Sequence, residues 1–225
     1  MPRKRPVSRI DDVAEAALGV FTARGFARTQ VSDIAKAAGL SVGAVYLYAT
    51  SKEALFQLAF ARAKGDPMPA RLPLKEKGMT RVAAALDAYL DTVPRWPRLK
   101  AALKSPGDGK TDLRAILGEL YDALRNTAPL VNLIDRCVLD LPELAEIYGR
   151  RVKGAFIADW TAFVAAGAKA KRLRNDLEPK AAARAAMEAI VWMAMHRPRD
   201  LMPPDITPEA ARQAAVELGV SSLAP

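Results

Sequence analysis

Apolar residues recur along nearly the whole chain at spacings of three and four, and no stretch alternates with period two for long. That periodicity buries one stripe of a helix and cannot line one face of a strand, so the expected fold class is all-α. The first stripe is Ile10, Val13, Ala14, Ala17, Leu18 and Phe21, on a helix expected over 8–24 with Ser8 as its N-cap and Gly25 as its stop. A short second helix is expected from a cap at Thr29 to Ala38, and a third from a cap at Ser41 to near Tyr48. A fourth follows the cap Ser51 and runs to about Lys64. Three prolines and a glycine within 65–73 then interrupt helical spacing. The chain is therefore read as two domains, 1–65 and 66–225. Further helices are expected near 78–93, 98–104, 111–126, 129–139, 142–171, 178–196 and 208–218.

Composition narrows the chemistry. With 225 residues, 51% apolar and 26% charged, the chain can bury a core without disulfides or metals. One cysteine, Cys137, and one histidine, His196, leave no His/Cys zinc cage and little material for a catalytic triad. No catalytic residue, metal site or cofactor is assigned, and an enzyme is not expected. The fragment Gly107-Asp108-Gly109-Lys110-Thr111 echoes a phosphate-binding loop, but its first required glycine is Lys104 and no strand precedes it. No apolar run reaches a membrane span, and the basic start has no apolar core behind it, so a cytoplasmic protein is expected. The formal net charge is +9, and residues 1–65 carry ten basic against five acidic side chains. A basic region of that kind attracts polyanions, although plain solubility would need no more.

The turn Gly39-Leu40-Ser41 joins two short helices, and the residues around it are the types a helix-turn-helix requires. Ala35 is small enough for close helix approach, Gly39 tolerates a positive φ, and Val45 packs back under the preceding helix. Ile34, Ala38 and Leu40 fill the remaining core positions. Such a pair places its second helix in the major groove of DNA.

The flanking motifs are more specific. Arg24-Gly25-Phe26 with Thr29, then Asp33-Ile34-Ala35 with Ala38-Gly39, then Ser41, Gly43, Tyr46 and Tyr48, then Ser51-Lys52-Glu53 with Leu55 occur in order. Residues 8–64 thereby resemble the N-terminal domain of the tetracycline-repressor-like (TetR) family of bacterial transcription regulators. One departure is Ala49, where the family usually carries a phenylalanine packed between the third and fourth helices. The resemblance implies a three-helix helix-turn-helix DNA-binding domain with a basic arm, followed by a helical ligand-binding and dimerisation domain.

Thr29, as a helix cap, can offer its hydroxyl and N–H to a phosphate. Ser41, Val42, Gly43 and Ala44 open the recognition helix, small enough to sit deep in the groove and touch thymine methyls. By the resemblance, Tyr46, Tyr48 and Lys52 are phosphate contacts and Leu47 a base contact. Arg28 and Lys36 are further phosphate candidates. Tyr46 could instead be core, and Lys36 could simply be solvated. The arm Arg3-Lys4-Arg5 could reach a minor groove or be a free tail.

In the C-terminal part, Phe156, Phe163, Val164 and Gly167 on one helix and Ala182, Ala185, Ala186, Ala189, Ile190 and Met193 on the next are offered either for dimerisation or for an intramolecular core. Effector-pocket candidates are Trp96, Tyr121, Asn132, Arg136, Cys137, Tyr148, Trp160, Trp192 and Met195, with ordinary core packing as the alternative for each. The expected partners are a double-stranded palindromic operator, a small-molecule effector and a second copy of the chain, the protein acting as a repressor. The competing function is an all-α enzyme or protein-interaction module with a vestigial helix-turn-helix.

Overall fold

A computed structural model describes residues 9–93, 96–202 and 205–225. The expected cap Ser8, the arm Arg3-Lys4-Arg5 and the prolines 94, 203 and 204 lie outside the described residues. Twelve α-helices are described, joined by short 3-10 and π segments, with no strand among the described residues. In order they are α1 Ile10–Arg24, α2 Val31–Ala37, α3 Val42–Val45, α4 Lys52–Lys64, α5 Thr80–Thr92, α6 Pro97–Lys104, α7 Gly109–Asn126, α8 Ala128–Cys137, α9 Pro142–Ile147, α10 Ala155–Lys169, α11 Pro179–Val191 and α12 Pro208–Leu223. The long helix expected over 142–171 is divided: α9 is followed by a π segment, Tyr148–Gly154, before α10 begins. A second π segment, Trp192–His196, follows α11.

The chain resolves into two compact units that differ from the expected division at residue 65. The first contains the chain up to Thr92 together with Pro129–Gly149, and the second contains Val93–Ala128 together with Arg150–Pro225. The physical reason is packing: α5 lies against α9, and the end of α8 seats on α1, so both segments belong with the first four helices.

In the first unit α1 packs along α4 and against α2. Val13, Ala14, Ala17 and Phe21 of α1 are fully buried, as are Leu55, Phe56, Leu58 and Ala59 of α4. Phe21, Phe26 and Phe56 form a three-ring cluster with centroids 5.2–5.7 Å apart, two of the pairs edge to face. Arg62 on α4 reaches Glu15 on α1 at 2.7 Å.

In the second unit α10 packs on α6 and α11, and α12 packs on α7 and α11. Trp96, Phe156, Trp160 and Phe163 form a continuous run of rings, and the Trp160 indole donates to the Ala183 carbonyl at 2.8 Å. Two bidentate pairs, Arg114 with Glu217 and Arg212 with Asp122, tie α7 to α12. Gly109 allows a close approach, since a Cβ there would stand 2.4 Å from the Arg172 carbonyl oxygen.

Candidate nucleic-acid interface

The turn between α2 and α3 has the geometry its residues predict. Gly39 adopts φ 63°, and the Leu40 N–H folds back to the Ala35 carbonyl at 2.9 Å, which closes the end of α2. Ile34, Ala35 and Val45 are buried, while Ala38 and Leu40 are half-buried. Ser41 caps α3, its hydroxyl oxygen accepting from the Ala44 N–H at 3.2 Å. Ser51 does the same for α4 at the Ala54 N–H, at 3.0 Å.

α3 is shorter than expected: regular α-helix stops at Val45, and Tyr46, Leu47 and Tyr48 continue in a turn. Ser41 and Gly43 are exposed, Ala44 is half-buried, and Val42, Tyr46 and Leu47 are 40%, 44% and 57% exposed. Three large apolar side chains left in water within six positions form a surface patch suited to a partner. Tyr46 is thus not core. Arg28 and Lys36 are exposed as well, with the Arg28 Nε donating to the Arg24 carbonyl at 3.1 Å.

Three sequence-derived candidates are placed differently. Thr29 does not cap α2; Gln30 occupies that position, its N–H donating to the Asp33 carboxylate at 3.0 Å. Thr29 is 2% exposed, and its hydroxyl donates backward to the Gly25 carbonyl at 2.7 Å because burial demands an acceptor nearby. Its N–H is also engaged, to the Phe26 carbonyl. Tyr48 is 3% exposed, so its ring belongs to the core. Lys52 is half-buried, with its ammonium 4.4 Å from the Phe26 ring centroid and donating to the Phe26 and Ala27 carbonyls. It ties α4 to the turn after α1, an intramolecular role that residue type alone does not reveal.

A second tie to that turn comes from Asp140, whose carboxylate accepts from the Ala27 N–H at 2.8 Å. Beside it the buried Cys137 thiol points at the Phe21 carbonyl at 3.6 Å, and burial pushes the thiol up to about 12. Arg24 pairs with Asp33 at 2.7 Å across the same turn.

Sequence reasoning missed the path of the chain after α4. The segment 65–79, whose first nine residues read as a boundary, returns to the recognition turn. The Leu74 N–H donates to the Tyr48 carbonyl at 2.8 Å, and the Leu74 carbonyl accepts from the Thr50 N–H at 2.9 Å, a parallel bridge that places Ala49 opposite Leu74. The Ser51 hydroxyl also donates to the Glu76 carbonyl. Ala49, where the family usually carries phenylalanine, is fully buried beneath this strap. No local signal marks the pairing, because its partners are about 25 positions apart.

The effector-pocket candidates are divided between the units. Asn132, Arg136, Cys137 and Tyr148 lie in the first, with Arg136 exposed, Cys137 packed on α1, and the buried Tyr148 hydroxyl raised above the phenol range by desolvation and nearby Asp135. Trp96, Tyr121, Trp160, Trp192 and Met195 lie in the second. There Trp160 borders a groove between α10 and α11, and Trp192 a separate open one with His196 and Arg199. The Tyr121 hydroxyl and the Asn132 Oδ1 are buried with no hydrogen-bond partner among the described residues.

The dimerisation candidates also separate. Phe156, Phe163, Val164 and Gly167 of α10, and Ala182, Ala186 and Ile190 of α11, are buried within the chain itself. Ala158, Ala162 and Ala166 on α10, and Ala181, Ala185 and Ala189 on α11, remain exposed.

The family described as "Bacterial regulatory proteins, tetR family" matches residues 13–59, the segment from α1 into α4. A comparison with curated proteins returns no match. Among solved structures, the chain is similar to the ketosteroid transcriptional regulator KstR2 of Mycobacterium tuberculosis, with 18% identity, a TM-score of 0.57, and coverage of 96% of this chain and 95% of that one. It is similar to the TetR family regulator PfmR from Thermus thermophilus at 20% identity and TM-score 0.52, covering 94% and 96%. A third is NalD of Pseudomonas aeruginosa, at 21% identity and TM-score 0.50, covering 98% of each chain. At these identities the structural likeness establishes the fold. Residues 13–59 thus form a TetR-family helix-turn-helix domain, within a chain whose fold is that of these transcription regulators.

Proposed function

We propose that the protein is a homodimeric repressor that binds a palindromic DNA operator through the segment 29–52 and leaves it when a small-molecule effector binds. The observation that carries the reading is the exposure of Val42, Tyr46 and Leu47 around the capped start of α3. These side chains, with Ser41 and Gly43, offer van der Waals contact and close backbone approach. No arginine, asparagine or glutamine lies between Ser41 and Tyr48 for bidentate base pairing. Specificity would then rest on thymine methyls and on DNA shape. Arg28 and Lys36, both exposed, are cations that can meet phosphates beside the turn.

A two-fold dimer sets two recognition helices on one face of the duplex about 34 Å apart, hence the palindrome. The exposed alanines of α10 and α11 leave a surface on which helices from a second copy can approach closely. The unpartnered Tyr121 hydroxyl supports an effector site, since a ligand acceptor would relieve a buried donor that otherwise costs about 1–3 kcal/mol. The repressor sign has a parallel in NalD, described as a secondary repressor of a multidrug efflux pump. A cytoplasmic location goes with this role.

The test is selection of bound sequences from a random duplex pool, followed by ligand screening on the selected site. An enriched palindrome bound by a dimer and released by a ligand is expected. Recovery of no preferred sequence at low salt would reject the operator reading.

A further inference from the structure

We propose that the strap after α4 belongs to the DNA-contacting surface, with Lys75 and Lys77 clamping backbone phosphates beside the recognition turn. The inference rests on the DNA-binding reading above and extends it to a segment outside the helix-turn-helix.

α4 has 13 residues, about 20 Å of helix, and the chain leaves its C-terminal end at Gly65 in a left-handed conformation. Nine residues later Leu74 is hydrogen-bonded at the opposite end of α4, to Tyr48 and Thr50. Nine extended residues span at most about 30 Å, enough to cover the roughly 20 Å back along α4. The chain therefore runs back along the length of α4 and is fastened by four hydrogen bonds, two of them to the Leu74 carbonyl and one to the Glu76 carbonyl. Its anchors, Tyr48, Thr50 and Ser51, directly follow the exposed reading residues Tyr46 and Leu47.

Charge then selects the partner. The strap carries Arg71, Lys75 and Lys77, all exposed, and none has a carboxylate within 4 Å among the described residues. The intervening Glu76 is half-buried and taken by Arg81 at 3.0 Å, so it does not neutralise them. Unpaired cations on a backbone pinned next to an apolar reading surface match a polyanion that presents base edges between rails of phosphate. Fixing the backbone also lowers the ordering cost of each lysine contact.

The experiment compares the selected duplex bound by the unaltered protein, by Lys75→Gln/Lys77→Gln, and by Lys100→Gln/Lys104→Gln on α6 in the second unit. Affinity is measured between about 50 and 200 mM salt. Two lost phosphate contacts should flatten the logarithmic salt slope by about 1.8, so that over this range the unaltered protein loses roughly 12-fold more affinity than the strap variant. The α6 variant, with the same loss of charge, should keep the unaltered slope. The single variant Lys77→Gln should show about half the change. An unchanged slope in the strap variant, or an equal fall in both double variants, overturns the inference. Failure of the unaltered protein to bind any duplex would instead reject the reading on which it rests.

Discussion

Replacing Thr29 with valine separates two roles that the residue type alone leaves mixed. The side chain is nearly isosteric, so packing is kept, but the hydroxyl that donates to the Gly25 carbonyl at 2.7 Å is lost. That acceptor is buried, and an unmade hydrogen bond at such a site costs about 1–3 kcal/mol. A methyl in place of the hydroxyl in a position 2% exposed returns less than about 1 kcal/mol. The net expectation for Thr29→Val is a loss of about 1–2 kcal/mol, which for a chain of this size lowers Tm by roughly 3–6 °C. Urea unfolding followed by far-UV circular dichroism reads the first figure directly. The same variant should keep the salt slope of duplex binding, because both polar groups of Thr29 are spent inside the protein. A stability within about 0.5 kcal/mol of the original, with a slope flatter by about 0.9, would refute the reasoning and restore Thr29 as a phosphate ligand.

Other expectations follow from single positions. Gly39→Ala meets no atom within 4 Å, so it should cost only the left-handed backbone penalty of about 1–2 kcal/mol, and Gly39→Asn less, in the same urea assay. Gly109→Ala would place a methyl 2.4 Å from the Arg172 carbonyl oxygen, and the resulting overpacking should cost about 1–3 kcal/mol or more; a melt unchanged from the original would contradict that contact. The Cys137 thiol, raised by burial from its ordinary 9.0 to about 12, should resist iodoacetamide at about pH 8 until urea unfolds the first unit. Its pH linkage has one sign: the stability it contributes is full below about 9.0 and is lost as pH rises toward about 12, so Cys137→Ser should flatten alkaline unfolding in that window.

What the sequence determined by itself is what acts over a few residues. The caps Ser41 and Ser51 and the stops Gly25 and Gly39 are short-range choices, and each stands where the spacing predicts. The turn at Gly39 was legible for the same reason, and so was the exposure of Val42, Gly43 and Leu47 at the recognition turn. Thr29 illustrates the limit. A threonine before a helix is a cap by local logic, yet burial against α1 turned its hydroxyl back to Gly25 and left the cap to Gln30. Lys52 and Tyr48 likewise exchanged an outward role for an inward one, because the Phe26 ring and the core lay close enough in three dimensions. The strap from Gly65 to Met79 and the seating of Asp140 on the Ala27 N–H were decided only by tertiary structure. Their partners lie 24 to 113 residues away, and closing such loops depends on surfaces that exist only once the helices have packed.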